Sequence, residues 1–286
     1  MLYRVLAVLL LLSLPLWAEE EREGGIIGTG IVGTITHLGS IHVNGQHILI
    51  DPEMPVTGAV RPMVASDLQP GHTVAVVATQ EGNAWQARHI RQVLPLVGPL
   101  RREDDGRLTV MGTQVLFDGP APDHNTWVAV SGLWQGDRVR ASRLDTFLVP
   151  SIARISGTFM GLDPDGGLTI GTTPVAGFIP RHIAPGDLVQ LMGRAVPGGI
   201  LATRLETGLF DQTPGLMLVE GYYSAPQPDG LYTVLGSGKV AFTTRPEMID
   251  ATTRVLHCAD AEGLIDPTAG AEHVDAQALR HLGCLR

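Results

Sequence analysis

GIVGTI at 30–35, SIHVNGQHILI at 40–50, DLQPGHTVAVV at 67–77 and AWQARHIRQV at 84–93 decide the fold. Each piece alternates apolar and polar residues over a short run and is bounded by glycine, proline or asparagine. That is the pattern of a half-buried strand. The stretch then returns. Its first strand aligns on one glycine at Gly33-Thr34-Ile35, Gly98-Pro99-Leu100, Gly157-Thr158-Phe159 and Gly221-Tyr222-Tyr223, at intervals of 65, 59 and 64 residues. A near-constant period marks tandem modules.

Within each module the same punctuation recurs. A turn follows the first strand at Leu38-Gly39, Asp104-Asp105-Gly106, Asp163 to Gly167 and Pro228-Asp229-Gly230. The acidic ones among these turns lack the spaced oxygen ligands and closing glutamate of a calcium loop, and Asp-Gly is what a tight hairpin requires. Second strands follow at Ile41-His42-Val43, Leu108-Thr109-Val110, Leu168-Thr169-Ile170 and Tyr232-Thr233-Val234. The fifth strand carries an alanine next to arginine-containing positions, at Ala87-Arg88, Ala141-Ser142-Arg143 and Ala202-Thr203-Arg204. A small side chain there fits a sheet that curves tightly. In the last module Glu272 to Leu282 has helical periodicity, but Val274 to Leu279 falls on the fifth-strand register, and we expect a strand.

The expected architecture is all-β: four tandem small OB-like, five-stranded β-barrel modules behind an N-terminal signal peptide. The boundaries are 1–18 for the signal peptide, 19–28 for a flexible leader, and 29–94, 95–149, 150–212 and 213–286 for the modules. Arg4 supplies the basic start and Val5 to Leu16 the apolar run, with cleavage after Ala18. Twelve apolar residues are too few to span a bilayer, so no membrane span remains after cleavage. Each module is small enough for a lone core to be marginal, so neighbours should pack together.

Of the 286 residues, 44% are hydrophobic but only 5% aromatic, with 35 glycines and 20 prolines, a composition of short strands and turns. Without the signal peptide the chain has 19 basic and 29 acidic side chains, a net charge of −10. Such a surface repels phosphate backbones, so nucleic acid is excluded as a partner. The expected location is periplasmic or secreted. There the two cysteines, Cys258 and Cys284, read as a disulfide stapling the last module. Closing a loop of about 25 residues contributes roughly 3 kcal/mol in the chain-entropy model. A zinc site with His257, His273 or His281 fits no standard spacing.

The pattern G-x-[IV], [IL]-x-[VI]-x-G, L-x-P-G-[DH]-x-V and A-x-[RH]-[IL] resembles the exported bacterial family called domain of unknown function 5666. The resemblance covers modules one and three well, module two partly and module four weakly. Module two has His124-Asn125-Thr126 where modules one and three have the Pro-Gly turn. It implies tandem barrels and export, and brings no established chemistry.

No P-loop, G-x-S-x-G or H-E-x-x-H motif is present, and no cofactor is expected. One constellation stands apart. A two-residue turn at Asn44-Gly45 pairs His42 with His47 across the strands, with Ile41, Val43, Ile48 and Ile50 on the core face. Given a further ligand such as His37, the pair His42 and His47 can chelate copper, nickel or zinc. The leading expectation is a non-enzymatic envelope protein acting as an interaction scaffold for a protein or cell-envelope partner. The alternatives are a periplasmic small-ligand or metal-binding module at His42/His47, and an envelope hydrolase whose site only a structure reveals.

Overall fold

The computed structural model describes residues 28–82, 84–148, 152–177, 182–265 and 276–284. The expected signal peptide and nearly all of the leader lie outside these residues. In the first run the strands are β1 (Thr29–Leu38), β2 (Ile41–Val43), β3 (Gln46–Leu49), β4 (Val56–Thr57), β5 (Thr73–Glu81) and β6 (Ala84–Gln92). Asn44 and Gly45 both take positive φ, 56° and 77°, which lets two residues reverse the chain in register with the strand twist. Ile41, Val43 and Ile48 are fully buried as a result. β1 pairs antiparallel with β2 and β5, β2 with β3, and β5 with β6, while β3 runs parallel to β6. Those pairings close a five-stranded barrel.

Closure needs a bend, and the alanine signature marks where it falls. The register of β5 on β6 slips between Val77 and Ala78, and Ala78 sits opposite Ala87. The second run repeats this with β7 (Leu96–Arg102), β8 (Leu108–Val110), β9 (Thr113–Leu116), β10 (Trp127–Gln135) and β11 (Arg138–Phe147). There the slip brings Gly132 opposite Ala141. A third run follows in β12 (Ala153–Thr158), β13 (Leu168–Ile170), β14 (Thr173–Ala176), β15 (Leu188–Val196) and β16 (Gly199–Thr207), and Gly193 faces Ala202 at its slip. A Cβ on Gly132 would collide with the Arg140 carbonyl, and one on Gly193 with the Leu201 carbonyl. Only small residues fit at these bulges, which kink the strand pair toward barrel curvature.

The second barrel closes through the same five pairings as the first. The third run keeps four of them, and β12 and β13 are not paired among the described residues. β7 and β12 pair antiparallel and fuse the second and third runs into one 10-stranded sheet. Leu96, Val128, Val139, Ile155 and Leu191 share a single core across that seam.

The last segment departs from the pattern. It comprises β17 (Leu216–Tyr222), β18 (Leu231–Thr233), β19 (Val240–Phe242), β20 (Arg254–Asp260) and the helix α1 (Ala276–His281). β17 lies parallel to β1 and antiparallel to β20, extending the sheet of the first barrel. β18 and β19 form a two-stranded sheet of their own. Among the described residues these strands close no fourth barrel. The fifth strand expected at 272–282 is corrected to a helix over Ala276–His281, residues 272–275 lying outside the described range. The physical reason is where its apolar residues go. Leu279 and Leu282, each 2% exposed, enter the core of the first barrel alongside Ile35, Ile48 and Trp85. Helical periodicity prevails once a partner surface buries its apolar stripe.

Cys258 and Cys284 are joined, with Cα atoms 6.0 Å apart. Both belong to that same core, so the bond ties β20 and the segment after α1 to the first barrel. A further apolar cluster of Val32, Ala75, Leu188, Met217, Val219 and Ala259 joins the first, third and last segments. Among the described residues no helix is long and apolar enough to cross a membrane.

Candidate functional site

The hairpin of β2 and β3 brings His42 and His47 directly opposite each other. Their rings stack, with centroids 4.7 Å apart and planes 12° apart. β1 sets His37 opposite His42, edge-on, with centroids 6.0 Å apart. A metal needs ring nitrogens to converge edge-first on one point, whereas stacked rings present their faces to each other. His37 Nδ1 lies 3.0 Å from the Thr36 hydroxyl, a local bond. Among the described residues no group of three or more His, Cys, Asp or Glu is placed to hold a metal ion. The juxtaposition of the pair holds; a convergent ligand set does not form around it.

A groove of about 700 Å³ lies between the first and second barrels. The loop from Ala59 to Gln69 forms one wall, and Arg143 to Phe147 of β11 the other. At its base His72, 2% exposed, reaches across to Asp145 with Nε2 3.0 Å from Oδ2. The Gln69 backbone N–H donates to His72 Nδ1 at 3.1 Å, so Nδ1 is the acceptor and Nε2 carries the proton given to Asp145. Arg143 Nε donates to the other carboxylate oxygen at 2.7 Å. Burial pushes the Asp145 carboxyl up, but the bonds from His72 and Arg143 outweigh it and hold the group below its ordinary value.

Ser66 lines the same groove, which invites comparison with a Ser-His-Asp hydrolase. Catalysis of that kind needs a histidine lone pair free to take the serine proton. Neither nitrogen of His72 is free in that sense. The residue instead fastens one barrel to the next, as does Ser142 Oγ, which donates to the Gly71 carbonyl at 2.6 Å.

Sequence reasoning passed over His72, Asp145 and Arg143. The signal lay in the Pro-Gly turn, whose following residue is His72 in the first run and Asp187 in the third. Asp187 accepts from the Ala184 backbone N–H at 2.8 Å, the role His72 Nδ1 fills toward Gln69. Both side chains cap their own turn. The imidazole in addition turns its second polar atom, Nε2, on Asp145 of the neighbouring barrel.

A second charged link joins the first barrel to the last segment. Glu220 on β17, 2% exposed, accepts the Thr34 backbone N–H at 2.7 Å, and its other oxygen meets Arg254. Burial raises the Glu220 carboxyl above its ordinary value, and these partners offset only part of that. Gly33 makes the approach possible, since a Cβ there would collide with Asn44 Oδ1 and Glu220 Oε2. The recurring glycine of the first strand is a packing requirement at this position.

Residues 29–91 match the family model described as domain of unknown function (DUF5666), which covers the first barrel. No curated protein and no solved structure matches the chain.

Proposed function

Taking the first barrel as a member of that family, we propose that the chain is an exported, non-enzymatic cell-envelope protein serving as an interaction scaffold. In this reading it holds four tandem modules of OB-like layout, the last remodelled. The order of five strands, with the third and fifth parallel, supports the OB-like assignment. The observation that carries the scaffold reading is the continuity between units. β7–β12 and β1–β17 pairing turns adjacent units into shared sheets, so exposed surfaces keep fixed positions relative to one another. A platform of that kind suits presentation of surfaces to a partner better than turnover of a substrate.

Export is supported by the apolar N-terminal segment and by the bonded cysteines. Cell fractionation with thiol labelling checks it: the processed chain in the periplasm or medium, with no free thiol, is expected. Cytoplasmic retention with two reactive thiols contradicts it. For the scaffold role, photo-crosslinking from exposed positions on the first barrel should give a discrete adduct with one envelope protein in intact cells. Adducts absent from every position tested, or a turnover activity in the purified chain, would remove the reading.

A second reading, a metal-binding module, is favoured only by the His42–His47 juxtaposition. Stoichiometric copper or zinc binding that His42→Ala abolishes would establish it. Binding indifferent to that substitution would end it.

A further inference from the structure

A cavity of about 320 Å³ lies where the first barrel meets the third run. Its floor is the outer face of β12, β15 and β16. There Arg154 and Ser156 on β12, Gln190 on β15 and Glu206 on β16 point the same way because residues two apart share a face. Its wall is Arg91 and Gln92 of β6, with Gly58 and Ala59 of the first barrel.

The charges in and beside this cavity do not balance. Arg91 Nη2 donates to Gln190 Oε1 at 2.8 Å and lies 3.5 Å from Glu206 Oε2. Glu206 is shared, because Arg204 holds its other oxygen. Arg154 has no carboxylate partner among the described residues. Its Nη1 donates to the Gly58 and Ala59 carbonyls at 2.9 and 3.3 Å. Its Nε is buried with no acceptor, and no described group accepts from Nη2. Arg91 and Arg204 therefore share the single carboxylate of Glu206 and Arg154 has none, in a chain whose net charge is −9.

Nη2 is the Arg154 donor left for a ligand, and a guanidinium N–H makes a strong charge-assisted bond to an oxygen of a carboxylate or phosphate. Carbonyl bonds fix the far side of Arg154, and the Gln190 amide steadies Arg91. The donors are thus held in place before any ligand arrives. We propose that this cavity binds the oxyanion group of a small ligand, a phosphate, sulfate or carboxylate, between Arg91 and Arg154. An excess of like charge in a half-buried site is costly, and a bound oxyanion relieves it. Burial, and then the Arg91 charge, lower the Arg154 guanidinium from its ordinary value, with Glu206 offsetting part of the effect. This inference does not depend on the scaffold reading, since a scaffold and an enzyme can each carry such a site.

The test is calorimetric titration of the processed chain at low ionic strength with inorganic phosphate, sulfate and succinate as separate probes. One of them should bind saturably at one site, and its identity separates a phosphate-type from a carboxylate-type ligand. Arg91→Gln and Arg154→Gln should each weaken that binding at least tenfold. Glu206→Gln removes the competing carboxylate and should tighten it severalfold, which a merely structural arginine cluster would not do. Should Arg154→Gln fail to fold, the Arg91 and Glu206 variants decide the matter. No saturable binding of any probe overturns the proposal. So does an affinity unmoved by Arg91→Gln, or one that Glu206→Gln fails to raise.

Discussion

The first barrel and the last segment share a sheet, yet one closes on itself and the other does not. β1 and β17 lie side by side in parallel, and each carries the recurring first-strand glycine of the sequence repeat, Gly33 and Gly221. In the first barrel the fourth and fifth strands meet at an Ala78–Ala87 bulge and the ring shuts. In the last segment β20 pairs with β17, and the next element among the described residues is a helix that helps fill the core of the first barrel. A barrel unit can therefore give up its own closure when its apolar residues find a better surface in a neighbour. The disulfide holds that exchange in place.

Replacing Cys258 and Cys284 with serine should cost about 3 kcal/mol, the chain-entropy value for a loop of this length. Urea unfolding measures it, and hydrogen exchange should show protection lost first in α1. A cost under about 1 kcal/mol would mean that helix packing alone holds the segment, against the disulfide mechanism. Leu279→Ala should cost about 2–3 kcal/mol, within the range for burying a leucine, and should loosen the first barrel as well as the helix. An effect confined to the helix would contradict the shared core.

The two junctions made by polar groups should respond less. His72→Ala removes the bond to Asp145 and leaves the Gln69 N–H unmet, at a cost of about 1–3 kcal/mol. Its amide chemical-shift changes should centre on the first–second barrel junction and spare α1. The smallest effect is expected for Glu220→Gln, which keeps an acceptor for Thr34 and removes a buried charge, within about 1 kcal/mol at pH 7. Its signature lies in pH dependence. Because the folded-state pKa of Glu220 is raised, the native chain holds its proton where the unfolded chain has lost it. Stability from this group is fully present below the unfolded value and declines as pH rises through the folded one. The variant should flatten that decline across the mildly acidic range. Parallel profiles for the two proteins would contradict the assignment.

Much of the fold was legible because its signals are local. Asn44-Gly45 specified the hairpin and, through it, the His42–His47 register, with Ile41, Val43 and Ile48 inward. The recurring alanines marked the bulges, although only the structure shows that each faces a second small residue, Ala78, Gly132 or Gly193. The helix at Ala276–His281 was obscured because the surface that selects it lies more than 200 residues away, at Ile35 and Ile48. Register by homology among modules pointed to a strand, and tertiary burial decided otherwise. The pairings that fuse the units, β1 with β17 and β7 with β12, leave no mark on either strand alone. His72 and Arg154 were hidden for a related reason. Each is an ordinary polar residue of its own unit, and its importance comes from the neighbouring unit it faces.

Scanning calorimetry of the chain tests the fusion of its units into shared sheets. Shared sheets and the cores spanning them predict that the first barrel and the last segment unfold in one cooperative transition, with calorimetric and van't Hoff enthalpies in agreement for that unit. An early, separate transition of the first barrel, leaving α1 and β17 intact, would contradict it.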